Sequence, residues 1–350
     1  MPPPRCWRPC AATCPARRST PRPPARTPPT APAAGRRASR SRSSTPHTPS
    51  TSRQPCGTPT TCGYRSYRAG REPGCPEGRA RARGSVVLDL SRMNRVLELS
   101  PEEQIAVVEP GVITAELDRT AGEFGLRYAP DPASAAISTI GGNIATNAGG
   151  LRCAKYGVTR DALLGLDAVL ADGTLVRTGR RTVKGVTGYD LTGLLTGSEG
   201  TLGVITSATL RLRPVPEETV TVAAYFTTFA EGAEAVSALT AARVEPAMAE
   251  LLDGPVLGAV DDAQGTALRS RGGALLLLQC DGRGAAAEAD AAVRCLRGHA
   301  TSVEVTGDPA EADRLLAARR LALPSLERLG RVLIEDIAVP RSRLAAAVRE

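Results

Sequence analysis

Apolar residues recur in regular patterns only from residue 85 onward. In the first half of that stretch, short apolar runs between turn residues predict strands at 86–90, 96–99, 105–108, 163–170, 174–176 and 204–212. The apolar face of 113–124 predicts a helix that ends before Gly125, and 141–148 is predicted as a second, short helix. The Pro-Val-Pro-Glu-Glu segment at 214–218 is predicted as a linker.

From residue 219 the pattern alternates between strand and helix. The predicted strands are 219–226, 248–252, 274–280, 302–305 and 332–338. The predicted helices are 230–242, 284–297, 309–323 and a last helix that the chain end interrupts at Glu350. We expect an antiparallel sheet with helices packed on one face, which makes the chain an α+β protein.

Residues 1–84 differ sharply in composition from the rest of the chain. They contain no Leu, Ile, Val or Phe and hold 17 of the 28 prolines, so they are predicted to be disordered. They also carry 17 arginines against two acids, Glu72 and Glu77, a net charge of +15. The whole chain is +8, so the remainder is −7, and the basic balance does not indicate a nucleic-acid partner.

Cysteine usage and hydropathy point to an intracellular protein without a transmembrane segment. Cys6, Cys10 and Cys14 are spaced like metal ligands, but no fourth ligand follows them at a recognised spacing, so we predict no metal site there. Cys153 and Cys280 are among three isolated cysteines predicted to be reduced thiols. No apolar run reaches the roughly 20 residues that span a membrane. A cytoplasmic location is expected, with peripheral membrane association as an alternative.

Two glycine-rich stretches carry the candidate chemistry. Residues 130–150 read Pro-Asp-Pro-Ala-Ser-Ala-Ala-Ile-Ser-Thr-Ile-Gly-Gly-Asn-Ile-Ala-Thr-Asn-Ala-Gly-Gly, and 191–206 read Leu-Thr-Gly-Leu-Leu-Thr-Gly-Ser-Glu-Gly-Thr-Leu-Gly-Val-Ile-Thr. Small residues let the backbone approach a ligand and offer it N–H donors. In particular, the N-terminal amides of the helix at 141–148 are expected to face a pyrophosphate. An ordinary glycine-rich connection is the alternative.

Together these stretches resemble the FAD-linked 2-hydroxy-acid oxidoreductases, which include the glycolate oxidase large subunit and the D-lactate dehydrogenases. The resemblance implies a vanillyl-alcohol-oxidase (PCMH)-type FAD-binding domain at 85–213. The linker at 214–218 and a ferredoxin-like substrate cap at 219–350 follow it, and the cap is truncated at its C-terminus. It also implies FAD as the cofactor. The implied FAD-binding residues are Asp131, Ser138, Thr139, Gly141, Gly142, Asn143, Thr146, Asn147, Gly149, Glu199, Gly200, Gly203 and Val204. The alternatives are a turn or capping carboxylate for Glu199 and a left-handed loop residue for Asn147.

The resemblance also suggests why the composition of residues 1–84 differs from that of the rest of the chain. Translated one base out of register, codons 63–78 permit Val-Pro-Val-Val-Pro-Arg-Gly-Ala-Gly-Thr-Gly-Leu-Ser-Gly-Gly. This is similar to the strand and pyrophosphate loop of the family. We therefore predict that this segment is read in a shifted frame. A transit peptide is the alternative, but the segment lacks an amphipathic helix.

The implied reaction is oxidation of a small 2-hydroxy acid by hydride transfer to the flavin. Arg319 matches the position of the family's carboxylate-binding arginine, although Leu316 replaces the usual tryptophan three residues before it. A solvated helix residue is the alternative for Arg319. The family places its metal site and catalytic base in a histidine-rich segment beyond the strand at 332–338, whereas this chain has only His47 and His299. We therefore predict an incomplete copy with no metal site of its own.

Electrons would pass to a quinone, a cytochrome or another flavoprotein rather than to NAD. A second hypothesis is a non-catalytic flavin-binding subunit of a multi-subunit oxidase. The acidic cap residues Glu250, Asp253 and Asp336 receive no role.

Overall fold

The computed structural model describes residues 88–334 and 337–347. The predictions made for residues 1–84, for His47 and for Asp336 lie outside these ranges. The strand predicted at 86–90 lies partly outside them, and its described residues, 88–90, form no strand.

The first half of the described chain forms a five-stranded antiparallel sheet and a separate two-stranded one. Its elements are, in chain order, β1 (Val96–Ser100), β2 (Ile105–Val108), α1 (Thr114–Gly122), β3 (Leu126–Arg127), α2 (Ile140–Thr146), α3 (Cys153–Tyr156), α4 (Thr159–Ala162), β4 (Leu163–Val169), β5 (Leu175–Gly179), α5 (Leu191–Leu195), β6 (Val204–Arg211) and β7 (Arg213–Pro214). The larger sheet has the order β1-β2-β6-β4-β5, and β3 pairs with β7. The predicted hairpin is the β4–β5 pair.

One core holds α2 against the larger sheet. In β6 the buried side chains Ile205, Ala208 and Leu210 belong to this core. Ala208 and Leu210 follow the period of two along a strand, and the register shift between Ile205 and Ser207 brings Ile205 to the same side. Ile140 and Ile144 lie one helical turn apart on α2 and are fully buried in the same cluster. The sheet therefore fixes the position of α2, the helix that the glycine-rich stretch forms.

The second half forms a four-stranded antiparallel sheet with helices. Its elements are β8 (Thr219–Phe226), α6 (Phe229–Ala241), β9 (Met248–Asp253), α7 (Gly254–Gln264), β10 (Ala274–Asp281), α8 (Ala285–Leu296), β11 (Ser302–Thr306), α9 (Pro309–Glu327), a 3-10 turn at Arg341–Arg343 and α10 (Leu344–Ala347). The strand order is β11-β8-β10-β9, with every neighbouring pair antiparallel.

The prediction of helices on one face of this sheet is wrong. Residues of α6 and α8 pack on one face, in a cluster with Leu276 and Leu278. Residues of α7 and α9 pack on the other face, with Leu275 and Leu277. Both faces of β10 are covered, because its side chains are apolar at nearly every position rather than at alternate ones.

Three further differences separate the prediction from the structure in this half. Helix α7 was not predicted: the sequence analysis assigned no element between the strands at 248–252 and 274–280. In the structure Asp253 caps this helix by accepting a hydrogen bond from the Val256 N–H at 2.9 Å, and Pro255 occupies its first turn. Helix α9 continues beyond 323 to Glu327. The strand predicted at 332–338 is wrong for its described residues, which form no strand.

Candidate functional site

Helix α2 is fixed at both of its ends. Thr139 caps the N-terminus, its Oγ1 accepting a hydrogen bond from the Gly142 N–H at 3.2 Å. Asn147 ends the helix in the left-handed conformation, with φ 51° and ψ 50°, as its alternative reading expected. Its side chain has a structural role, because Asn147 Oδ1 accepts a hydrogen bond from the Arg160 N–H at 3.0 Å. The glycine-rich stretch is thus a rigid element.

The expected free donors at the N-terminus of α2 are not available there. The Gly141 N–H donates to the Pro110 carbonyl at 2.8 Å, the Ile140 N–H to the Val112 carbonyl at 2.8 Å, and the Gly142 N–H to Thr139 Oγ1. A Cβ on Gly141 would lie 2.6 Å from Pro110 Cβ, so this glycine serves close packing. These three amides therefore donate to the protein itself, and pyrophosphate binding at this end of the helix stays a prediction.

Two of the predicted cofactor residues form a buried polar network beneath α2. Asn143 Nδ2 donates to Thr114 Oγ1 at 2.7 Å, and Thr114 Oγ1 lies 3.1 Å from Ser138 Oγ. All three side chains are almost completely buried. Asn143 Oδ1 has no hydrogen-bond partner among the described residues. A buried carbonyl oxygen without a donor is costly, so the site retains an unused acceptor.

The two glycine-rich stretches meet at the C-terminal end of α2. The Gly197 N–H donates to the Ile144 carbonyl and the Glu199 N–H to the Ala145 carbonyl, both at 2.9 Å. Glu199 adopts φ 50° and Gly200 φ 72°, which turns the chain tightly over the helix end. Residues 53 positions apart in sequence thus share one surface.

Free donors do occur at this meeting point. Within the described chain, the N–H groups of Gly149 and Gly200 have no acceptor. A Cβ on Gly149 would make only ordinary contacts, the nearest with Cys153 Sγ at 3.5 Å, so this position is open. Gly203 and Val204 follow as the entry to β6, where a Cβ on Gly203 would lie 3.1 Å from the Val169 carbonyl.

Asp131 lies against the turn that follows α2. Its Oδ1 accepts a hydrogen bond from the Arg152 N–H at 3.1 Å, and its Oδ2 lies 3.3 Å from Arg152 Nε. A Cβ on Gly150 would lie 2.4 Å from the Asp131 carbonyl, so glycine is needed for this approach. Burial raises the pKa of Asp131 above its usual range. We call the surface formed by Asp131, 146–150 and 198–200 the cradle.

Arg319 lies on the other half of the chain and is paired with an acid. Its Nε donates to Glu250 Oε2 at 2.6 Å, and the two side chains are 28% and 26% exposed. Arg319 is therefore not a fully solvated helix residue. Leu151 follows the cradle directly and packs into the apolar cluster of α7 and α9, which includes Leu316. These contacts bring the cap half against the cradle.

A second contact between the halves was not predicted from the sequence. Lys155 Nζ donates to Asp281 Oδ1 at 2.6 Å, and the Tyr156 hydroxyl donates to Asp281 Oδ2 at 2.8 Å. Arg127 Nη1 lies 3.9 Å from Asp281 Oδ2. We call these four residues the latch. More than 120 positions separate Asp281 from the others, so no local pattern pairs them.

The structure offers little support for a histidine base. His299 is exposed in the turn between α8 and β11. Within 88–334 and 337–347, no three His, Cys, Asp or Glu side chains are grouped so that they could hold a metal ion. No helix in the same ranges is long and apolar enough to cross a membrane.

Two family models match the chain, one on each half. A model described as the FAD binding domain matches residues 72–179, and one described as the C-terminal domain of FAD linked oxidases matches residues 215–350. Each half of the chain thus resembles a domain of the FAD-linked oxidases, which confirms the predicted resemblance and the predicted FAD cofactor.

Curated relatives and a solved structure agree with this assignment. Glycolate oxidase subunit GlcD of Bacillus subtilis (strain 168) is 44% identical over 270 residues, which cover 76% of this chain and 57% of that protein. The mitochondrial D-lactate dehydrogenase [cytochrome] of Arabidopsis thaliana is 39% identical over 183 residues, 52% of this chain and 32% of that one. The chain thus spans little more than half of the first relative.

The structure of p-cresol methylhydroxylase with substrate bound superimposes with a TM-score of 0.57 at 21% identity. The match covers 69% of this chain and 55% of that one. At this identity the likeness shows the fold alone, and it confirms the PCMH-type fold of the FAD-binding half.

Proposed function

We propose that the cradle holds FAD and that the chain oxidises a small 2-hydroxy acid of the glycolate or D-lactate type. The observation that carries this proposal is the meeting of the two glycine-rich stretches at the end of α2, where the Gly149 and Gly200 N–H groups have no acceptor among the described residues. Bound FAD would supply the hydride acceptor. The protein's own contribution is to hold the cofactor and to orient the acid.

The residues present fit a flavin nucleotide. Free N–H donors suit phosphate or carbonyl oxygens, and Asn143 Oδ1 is an acceptor without a donor. The predicted cofactor residues then divide into two groups. The first comprises the cradle residues Asp131, Thr146, Asn147, Gly149, Glu199 and Gly200, together with Gly203 and Val204 at the start of β6. The second supports it from α2 and beneath it and comprises Ser138, Thr139, Gly141, Gly142 and Asn143.

Arg319 is the proposed group for the substrate carboxylate. A guanidinium carries five N–H donors, and Glu250 uses the one on Nε. Among described residues, no acceptor takes the donors on its two Nη atoms. Glu250 thus orients the planar group while its outer edge remains available for a bidentate contact with a carboxylate.

The domain boundaries belong to the same proposal. We propose an FAD-binding domain at 85–213, a linker at 214–218 and a cap at 219–350. The strand order β11-β8-β10-β9 and the alternation of strands with α6 and α8 support a ferredoxin-like cap. A quinone, a cytochrome or a flavoprotein is the proposed electron acceptor, and the proposed location is the cytoplasm or the membrane periphery.

A specific observation favours the second candidate function, a non-catalytic flavin-binding subunit. Oxidation of the acid needs a base for the hydroxyl proton. In the described part of the chain, the one histidine is His299, which is exposed and lies beyond a helix of the cap. A chain that held FAD and the carboxylate without a base would bind but not react.

One experiment separates these functions. The purified chain is titrated with FAD, followed by flavin fluorescence and visible absorbance, and glycolate or D-lactate is then added without oxygen. Bleaching of the flavin bands supports the oxidoreductase, whereas FAD uptake without bleaching supports the subunit. No uptake of FAD contradicts both.

A matched pair of variants tests the role of Arg319 in the same experiment. Arg319→Met should bind FAD normally but lose the response to the acid. Arg320→Met removes the neighbouring arginine, which is exposed and paired with Asp313, and should retain both properties. Equal responses from the two variants would exclude Arg319 as the carboxylate site.

A further inference from the structure

The latch places one carboxylate of the cap among three side chains of the FAD-binding half. Asp281 is only 4% exposed and is the last residue of β10. Lys155 Nζ also donates a hydrogen bond to the backbone carbonyl of Asp281 at 2.7 Å. Lys155 therefore holds both the Asp281 side chain and the end of β10. Arg127 stacks on Tyr156, with its Cζ 5.5 Å from the ring centroid. It is the third side chain of the FAD-binding half that lies around the Asp281 carboxylate.

The charges of the latch make it dependent on Asp281. Arg127 and Lys155 bring two positive charges, their side chains are 12% and 32% exposed, and Asp281 is the acid that contacts both. Arg127 Nη2 is buried and has no partner in the described chain. Removing the Asp281 charge would take from Arg127 and Lys155 the acid that they share at a contact with little access to water. Asp118 would still act on Arg127 and Glu288 on Lys155. The loss of the shared acid favours separation of the halves.

The latch connects the cradle to Arg319 through short, stiff segments. Lys155 and Tyr156 lie on α3, which begins three residues after Gly150 of the cradle. On the other side, Leu277 of β10 pairs with Glu250 of β9, the partner of Arg319. Asp281 lies four positions after Leu277 along the strand, roughly 14 Å at the usual rise. A tilt of about 5° at the latch would therefore move Glu250 by about 1 Å.

From this geometry we propose that Asp281 is a positioning residue: it sets the placement of Arg319 relative to the cradle by fixing the end of β10 against α3. The part of this inference that concerns the ligand of Arg319 rests on the proposed function. The contacts of the latch do not depend on that function. Misplacement of about 1 Å commonly costs two orders of magnitude in rate, so a small rotation of the cap is sufficient to matter.

The test uses the full chain and compares Asp281→Asn with Asp290→Asn. Asp290 is exposed on α8, so the second variant removes the same charge without touching the latch. The probe is oxalate, a dicarboxylate with no C–H bond to oxidise, followed by the change that it causes in the spectrum of bound FAD. Asp281→Asn should bind FAD within about twofold of the parent and oxalate at least about tenfold more weakly. Asp290→Asn should match the parent in both.

The double variant Lys155→Met/Asp281→Asn distinguishes positioning from a general loss of stability. Because the pair acts as a unit, the double variant should bind oxalate no more weakly than Asp281→Asn alone. If Asp281→Asn does not fold, Tyr156→Phe is measured instead, and losing one hydrogen bond to a carboxylate should weaken oxalate binding about fivefold. Unchanged oxalate binding in the folded latch variant would overturn the proposal.

A second readout needs no flavin. Glu217 and Glu218 are exposed in the linker, and Glu217 pairs with Arg283 two residues beyond Asp281. Endoproteinase Glu-C should cut there faster in Asp281→Asn than in Asp290→Asn, with the fragments identified by mass spectrometry. If the parent chain takes up no FAD, or if oxalate does not change the spectrum of bound FAD, the proposed function fails. The cleavage rates then test the latch by themselves, and equal rates in Asp281→Asn and Asp290→Asn would refute the role of Asp281.

Discussion

Replacing Gly150 by alanine tests whether the cradle is built as closely as the structure shows. A Cβ at this position would lie 2.4 Å from the carbonyl carbon and oxygen of Asp131, and 2.8 Å from its Oδ1. Atoms of this kind normally remain about 3.5 Å or more apart, so Asp131 or the turn must move by about 1 Å. Overpacking of this size typically costs about 1–3 kcal/mol.

Gly122→Ala is the matched control for this substitution. A Cβ on Gly122 would meet nothing within 4 Å, and the residue lies at the end of α1. Both substitutions restrict the unfolded chain equally, by about 0.4–1 kcal/mol, so this contribution cancels when the two variants are compared. The difference in the free energy of unfolding between them should therefore be about 1–3 kcal/mol, with Gly150→Ala the less stable.

The assay is thermal unfolding followed by circular dichroism, combined with FAD titration. For a folded region of this size, about 1 kcal/mol corresponds to about 2–4 °C in Tm, so Gly150→Ala should melt about 2–12 °C below Gly122→Ala. Its affinity for FAD should also fall, because Asp131 is pushed from its place. Two variants that melt within about 1 °C of each other would refute the close approach of Asp131 to this turn.

Three further predictions follow from the structure. Hydrogen bonding from Arg95 lowers the pKa of Glu109 from its ordinary 4.5, so Glu109 stabilises the fold above that pH and the stability is lost as pH falls through the lowered pKa. Glu109→Gln should therefore flatten the decline of the urea midpoint below about pH 5, and an unchanged decline would contradict the pairing. Burial raises the pKa of Cys280 to about 12, so at pH 8 iodoacetamide should label the partly exposed Cys153 before Cys280, as peptide mass mapping would show. Labelling of Cys280 in the folded protein at a comparable rate would be inconsistent with its burial. Asn147→Gly and Asn147→Val both remove the acceptor of the Arg160 N–H, but Asn147→Val should be about 1–2 kcal/mol less stable than Asn147→Gly in urea unfolding, because a β-branched residue resists the left-handed conformation. Equal stability of these two variants would argue against that conformation.

Most strands and helices of this chain could be predicted from its sequence, because the residues that favour each element lie within that element or directly beside it. Strand β8 has the predicted bounds, since six of its eight residues are Thr, Val, Tyr or Phe, which favour strands, and it lies between a linker and a turn. Helix α7 was missed because a Gly-Pro pair such as Gly254 and Pro255 is compatible with either a turn or the start of a helix. In the structure the capping hydrogen bond from Asp253 favours the helix. The face that each helix covers was not predictable either, since β10 is apolar on both of its faces.

The cradle shows where sequence reasoning about glycine ends. The pattern identified the right stretches, but the glycines in them serve different purposes. Gly141 packs against Pro110 and Gly150 against Asp131, so in both cases the missing side chain makes room for protein. Gly149 alone of these three has open space above it, and its N–H is free of acceptors in the described chain. A glycine can bind a ligand only where the fold has not already used its space. The free amides therefore lie at the C-terminal end of α2, although the helix dipole would favour an anion at the other end.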